Sequence, residues 1–241
     1  MSTDPSPHIA EGAKQESDSR HFFPNKMGRI VLLALEEVVG SESMTTILTM
    51  ARMQDRLEQY PPNDFGAGFS FDELARMQQA LEELYGVRSG WVLARRVGRA
   101  CFMIGVEDLR PMLGVADLAF RILPLRIRLR VGFEVLAHIF DRFSDHKVRL
   151  DEEERYFRWV AERCGMCWGR RSEVPCCHLS VGLLEAVLYW LSGGASFYIE
   201  EVSCIAAGDP VCTILVGKHP LTPVVSAEGG TDAPGPAGGA Q

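Results

Sequence analysis

Six of the seven cysteines in this chain fall between Cys164 and Cys212, and only Cys101 lies outside that stretch. In a reducing compartment such crowding favours a metal over disulfides, so the elements that carry these sulfurs are expected to converge. Cys204 and Cys212 are equidistant from Gly208, the centre of a turn formed by Ala207, Gly208, Asp209 and Pro210 between two strand-like runs, 196–205 and 211–216. With a symmetric register they face each other across a hairpin, their Cβ atoms roughly 4.5–5.5 Å apart, which suits a shared metal or a disulfide. Glu201 precedes Cys204 by three residues. A flat strand places such a pair on opposite faces, so joint ligation requires a bulge or a twist. Cys177, ahead of the next helix-like run, closes the set from another element. Cys177, Glu201, Cys204 and Cys212 together satisfy a tetrahedral zinc ion with no open position, the signature of a structural rather than a catalytic site.

The remaining thiols are ambiguous. Cys164 and Cys167 form a C-x-x-C pair, and Cys176 adjoins Cys177. The pair reads as zinc ligands, iron–sulfur ligands, redox thiols or simply buried thiols, since free cysteine is among the most buried residue types. His178 stands beside Cys177 as a substitute ligand, although core packing or a hydrogen bond behind the ligands suits it better.

Hydrophobic patterning divides the chain into a polar tail (1–24), a folded unit (25–220) and a Gly/Pro/Ala-rich tail (221–241). Both tails are expected to be disordered. The first part of the folded unit, 25–145, reads as helical. An apolar run, 27–39, ends at Gly40. A second helix is expected from Ser41 or Ser43 to about Tyr60, stopped by Pro61 and Pro62. Ser70 and Glu73 make a capping box for a helix over 71–85. A further helix is expected from Ser89 to Ile104, with another beginning near Pro111. The stretch 125–131 alternates like a strand. Over a longer window Leu125, Leu129, Phe133, Leu136, Phe140 and Phe143 recur at helical spacing, which predicts a helix over 125–143 with Arg130 and Glu134 as an i,i+4 pair. The second part, 146–220, reads strand, strand, helix, strand, strand: 147–150, 155–161, a helix over 180–191, then the cysteine-bearing hairpin. The expected fold class is α+β, a helical half followed by an antiparallel four-stranded sheet packed on helices.

Net charge is −7, which gives no global basic field for nucleic acid. No apolar run approaches the roughly 18 residues a membrane span needs, and no signal peptide is visible, so a cytoplasmic protein is expected. No G-x-G-x-x-G follows a strand, no helix-turn-helix or ATPase loop stands out, and no catalytic residues are assigned. Phe133, Phe140 and Trp159, with Met112, Phe120 and Phe143, could line an apolar pocket with His138 as a polar contact. Taken one by one, each is better explained as core. The first helix, with Ile30, Val31, Leu32, Leu33 and Leu35, is apolar almost all round, as a buried or interfacial helix would be.

The segments Cys177-His-Leu-Ser-Val-Gly182, Phe197-Tyr-Ile-Glu-Glu-Val-Ser-Cys204 and Ala207-Gly-Asp-Pro-Val-Cys212 resemble the 4-vinyl reductase domain family. The E-x-x-C-x7-C pattern is the most specific mark, and a weaker likeness runs from Lys26 to Pro220, including the GWVLARRVGRACF stretch from Gly90 to Phe102. The family includes ligand-sensing domains of phenol-responsive activators and a protein tied to bacteriochlorophyll biosynthesis. The resemblance implies a TRAPP-like or NO-signalling-type ligand-binding fold, a homodimer formed through N-terminal helices, and a buried apolar pocket. It also implies zinc on Cys177, Glu201, Cys204 and Cys212. The spacing between Cys177 and Glu201 is about one residue longer than the family's, which brings Cys176 and Glu200 into play as substitutes. The expected function is binding or sensing of a small hydrophobic or aromatic molecule, with a separate output protein as partner. The alternative is an enzyme or accessory factor acting on a vinyl tetrapyrrole.

Overall fold

The computed structural model describes residues 20–221, with backbone alone over 109–121. Most of both expected tails therefore lies outside the described residues, but the folded unit begins earlier than the polar composition suggests. Phe22–Pro24 forms a strand, β1, antiparallel to β2 at Ala67–Ser70. The apolar pair Phe22 and Phe23 anchors it, and Phe23 is buried.

Helix α1 spans Asn25–Val39 and ends at Gly40, whose φ of 80° suits glycine. Helix α2, Ser41–Met50, stops well short of Tyr60, because Arg52 takes a left-handed φ of 55° and only a single turn, α3 at Asp55–Glu58, follows. Helix α4, Phe71–Tyr85, carries the capping box as expected: the Ser70 hydroxyl accepts from the Glu73 N–H, and Glu73 accepts from the Ser70 N–H. Gly105 and Pro111 do not divide the next segment. Helix α5 runs unbroken over Val87–Arg121, 35 residues. Gly105 is absent from the left-handed glycines, so it ends nothing.

Helix α6 occupies Leu125–Phe143, as the longer periodicity predicts. Strands β3 (Lys147–Glu152) and β4 (Tyr156–Arg163), helix α7 (His178–Ser192), and strands β5 (Phe197–Ser203) and β6 (Cys212–Pro220) complete the chain. The sheet is antiparallel in the order β3-β4-β6-β5. One layer is this sheet. The other is built around α5 and α7, which meet backbone to backbone. A Cβ on Gly182 would lie 1.9 Å from the Arg95 carbonyl oxygen, and one on Gly98 would lie 2.0 Å from the Leu179 carbonyl oxygen. Glu185 on α7 then pairs with Arg95 and, at 2.9 Å, with Arg99 on α5. This close seam fixes where the N-terminus of α7, and hence Cys177, can sit.

Candidate functional site: a thiol cluster beside an apolar cavity

Five places along the chain deliver the six clustered cysteines. Cys164 follows β4, Cys167 and Cys176 lie in the loop to α7, Cys177 is the N-cap of α7, Cys204 follows β5, and Cys212 opens β6. All six are buried, Cys204 completely. The loop is held to the hairpin by the Ser172 N–H, which donates to the Ala206 carbonyl at 2.9 Å. The hairpin itself turns through a short 3₁₀ segment, Ile205–Ala207, and Gly208 at φ 99°. Asp209 accepts from the Cys204 N–H at 2.8 Å, which pins the residue after the strand end.

The sulfurs lie at contact distances. Cys177 is 3.6 Å from Cys164, 3.8 Å from Cys204 and 3.8 Å from Cys212. Cys167 is 3.4 Å from Cys212, Cys204 is 3.9 Å from Cys212, and Cys176 is 3.9 Å from Cys204. The four residues singled out by spacing therefore do converge. Cys177, Glu201, Cys204 and Cys212 offer donor atoms all within 4.8 Å of one another. A bulge between Glu201 and Ser203 brings Glu201 to the cysteine face, the irregularity that joint ligation demands. A second foursome, Cys164, Cys167, Cys177 and Cys212, meets the same criterion.

Electrostatics make the crowding costly without a cation. Sulfur-to-sulfur hydrogen bonds lead the effects on every cluster thiol: Cys164 and Cys204 are held below the ordinary range, while Cys167, Cys176, Cys177 and Cys212 are pushed above it. Six buried sulfurs cannot all ionise together unless positive charge arrives. Burial, followed by the nearby Cys204 charge, pushes Glu201 up to about 8. One Glu201 oxygen accepts from the Cys177 N–H at 2.7 Å, and the other is buried with no partner among the described residues. His178 packs against Trp91, ring centroids 4.7 Å apart, and burial with Arg95 and Arg170 nearby lowers it to about 4. It belongs to neither foursome.

Behind the cluster, among the helices, lies a cavity of about 290 Å³. Met27, Ile30 and Val31 of α1, Cys101, Phe102, Gly105 and Val106 of α5, and Leu136, Ile139, Phe140 and Phe143 of α6 supply most of its wall, with Met166 and Leu179 on the cluster side. Of the residues proposed from sequence, Phe140 and Phe143 line it. Phe133 and Trp159 instead pack on each other beneath α6, centroids 6.4 Å apart, and His138 is exposed. The side chains of Met112 and Phe120 lie outside the described residues. Sequence reasoning missed Gly105, whose missing side chain helps make the space, and the pocket-facing row of α1. The all-round apolarity of α1 was the available signal.

The fold is H-NOX-like. The Fe(II) unliganded H-NOX protein from K. algicida aligns with a TM-score of 0.52 at 15% identity, over 80% of this chain and 95% of that one. A Cs H-NOX mutant with 4-cyano-L-phenylalanine at site 5 aligns with a TM-score of 0.51 at 13% identity, over 82% of this chain and 98% of that one. No family model matches the chain, and no curated protein matches it. At such identities the likeness carries the fold alone. The expected α+β, NO-signalling-type fold is thus found, but the 4-vinyl reductase resemblance is corrected, and with it the bacteriochlorophyll alternative: the two solved structures that align above are H-NOX proteins. The expectation of one closed structural zinc ion is corrected too. The K. algicida protein is described with Fe(II), and the supposed tetrad is not a separate unit here, since it shares Cys177 and Cys212 with a second foursome. The short motif matched because a hairpin with flanking thiols is a local arrangement, which the surrounding fold does not determine.

Proposed function

We propose that this protein is a small-molecule sensing module that takes a compact apolar ligand into the interhelical cavity. The observation that carries the reading is the cavity itself, about 290 Å³ and walled by aliphatic and aromatic side chains, near the lower end of the roughly 300–1,000 Å³ typical of ligand sites. Among the described residues Lys26 is the one charged residue lining it, and its ammonium is engaged by Asp108 at 3.3 Å. Such a wall favours a one- or two-ring aromatic or a branched hydrocarbon over anything charged.

The H-NOX likeness raises heme as a candidate occupant, since heme is described for proteins of that name. The residues here do not fit it. Heme iron is held by His, Tyr, Met or a Cys thiolate, and among the described residues the cavity lining contains neither His nor Tyr. Burial pushes the Cys101 thiol up to about 12, so a thiolate there would form only on an ion that displaces its proton. The one buried imidazole near the wall, His146, has its Nδ1 taken by the Gly165 N–H at 3.0 Å. Met27 and Met166 are left as thioethers without a nitrogen ligand opposite.

Gly105 provides the test. A Cβ there would meet only the Ile30 Cδ1, at 3.8 Å, an ordinary contact. The Cβ of Gly105→Leu therefore enters without a clash, the rest of the side chain takes up cavity space, and the change removes a helix-interior glycine, for a gain of about 0.5–1 kcal/mol. Naphthalene at a hundred times its dissociation constant should stabilise the unaltered protein by about 2.7 kcal/mol, read as a rise in melting temperature. The same concentration should leave Gly105→Leu unmoved. Equal rises in the two proteins would refute binding at this site. The reading extends to a homodimer and to an output protein that responds to occupancy; a monomer by gel filtration would remove the first of these.

A further inference from the structure

The two foursomes of the thiol cluster share an edge. Cys177 and Cys212, 3.8 Å apart, belong to both. Cys164 and Cys167 complete one set, and Cys204 and Glu201 complete the other. A tetrahedral ion about 2.3 Å from each thiolate sets its sulfurs roughly 3.8 Å apart; five of the sulfur pairs within the two foursomes are 3.4 to 3.9 Å apart, and all the donor atoms of each foursome lie within 4.8 Å of one another. We propose that Cys164, Cys167, Cys177, Glu201, Cys204 and Cys212 form a dinuclear centre for two borderline divalent transition-metal ions, bridged by the thiolates of Cys177 and Cys212.

Three observations favour two ions over one. An ion in either foursome alone would strand the rest of the cluster. With only the Glu201 side filled, Cys164 and Cys167 remain as buried thiols against charged sulfur. With only the other side filled, the Glu201 oxygen that lacks a partner stays an orphan, a state buried carboxylates rarely keep. Charge agrees. Five thiolates and one carboxylate carry six negative charges, and two divalent ions bring four positive ones, leaving two. The buried Arg170 guanidinium acts on Cys176 and Cys177, and the Ile205 N–H donates to the Cys212 sulfur at 3.2 Å, so the residue is offset locally.

Access and ligand type fit as well. A cleft of about 250 Å³ is lined by Cys164 and Cys167 together with Glu162 and Arg163, which gives an ion a polar way in. A sulfur-rich set with one oxygen selects borderline or soft cations over magnesium or calcium. A [4Fe–4S] cluster carries one thiolate on each iron, which sets its cysteine sulfurs farther apart than these. Cys176, 3.9 Å from Cys204 but in neither foursome, is left outside the centre.

This inference does not rest on ligand binding in the cavity. Its test is cobalt(II) added anaerobically to the full-length chain after reduction and removal of metal. Two equivalents should bind, thiolate-to-cobalt absorption should grow across both, and the paramagnetic resonance of the first should fade as the second couples to it through the shared sulfurs. Saturation at one equivalent, no binding, or a second equivalent that leaves the first signal unchanged would overturn the proposal. Cys164→Ser with Cys167→Ser should halve the stoichiometry, whereas Cys176→Ser should keep it at two. A fall in the Cys176→Ser protein would overturn the ligand assignment.

Discussion

His146 shows how a single buried residue can tie stability to acidity. It is 1% exposed, it packs on Phe140 at a centroid distance of 5.2 Å, and its Nδ1 accepts from the Gly165 N–H. An acceptor nitrogen is a neutral imidazole's, and burial lowers the pKa from its ordinary 6.5. The folded state therefore resists a proton that the unfolded chain binds readily. Where the unfolded chain binds more protons, stability rises with pH, so His146 leaves stability intact above about 6.5 and erodes it as pH falls below that value. The His146 ring resonances should stay at their neutral positions through pH 6.5 and below, and His146→Gln should flatten the acid side of the stability profile. Ordinary titration near 6.5 in the folded protein would contradict this. Nothing in the sequence marks His146: it sits between Asp145 and Lys147, and only the closure of β1 and α6 over it takes it from water. Glu201 is the contrasting case, since its spacing to Cys204 was visible and even the need for a bulge could be deduced.

Between elements, the decisive contact is the α5–α7 seam. Gly182 was conspicuous in the sequence as part of a short motif, but its physical role is to let two helices approach until a Cβ would overlap the Arg95 carbonyl. A backbone atom cannot swing aside as a side chain can, so Gly182→Ala must push the helices apart. Overpacking of this kind costs typically 1–3 kcal/mol, occasionally more; at about 3 kcal/mol, the melting temperature should fall on the order of 6–12 °C. Gly105→Ala on the same helix α5, facing the cavity, should raise it slightly. Similar changes in both would show that the seam is not close-packed. Elements with strong local signals were legible: the Ser70–Glu73 box starts α4, and six apolar residues at helical spacing outweighed the alternation in 125–131. The strands β1 and β2 escaped notice because three or four residues hold too little alternation to stand out. Helix α5 was split because a glycine reads as a terminator until its φ is known. The cavity was illegible for a further reason, as its wall joins α1, α5 and α6, whose facing residues are distant in sequence.

Across the whole molecule, the thiol cluster and the cavity share one piece of chain. Cys164, Cys167 and Cys177 face the sulfurs, while Met166 and Leu179, each within two residues of a cluster cysteine, line the apolar space. The same loop is fastened elsewhere by Gln78, which donates to the Met166 carbonyl at 2.8 Å, and by Arg170, bonded to Glu82 at 2.6 Å. If metal orders the loop, it also sets the positions of Met166 and Leu179 before a ligand arrives. The ordering cost then falls on the metal rather than on the ligand. Removing metal should therefore weaken naphthalene binding by about 5–150-fold, the span of typical coupling energies of 1–3 kcal/mol, and naphthalene should tighten metal binding by the same factor, because coupling between two binding equilibria is reciprocal. Calorimetric titration of naphthalene into loaded and stripped protein measures the first factor, and cobalt(II) titration with and without naphthalene measures the second. Circular dichroism on the stripped chain separates loosening of this loop from loss of the fold. Equal naphthalene affinities in loaded and stripped protein, with the fold intact, would mean that the two sites share a loop without sharing energy. Gly105→Leu offers the converse measurement, for it fills the cavity from α5, and its cobalt(II) affinity should no longer respond to naphthalene.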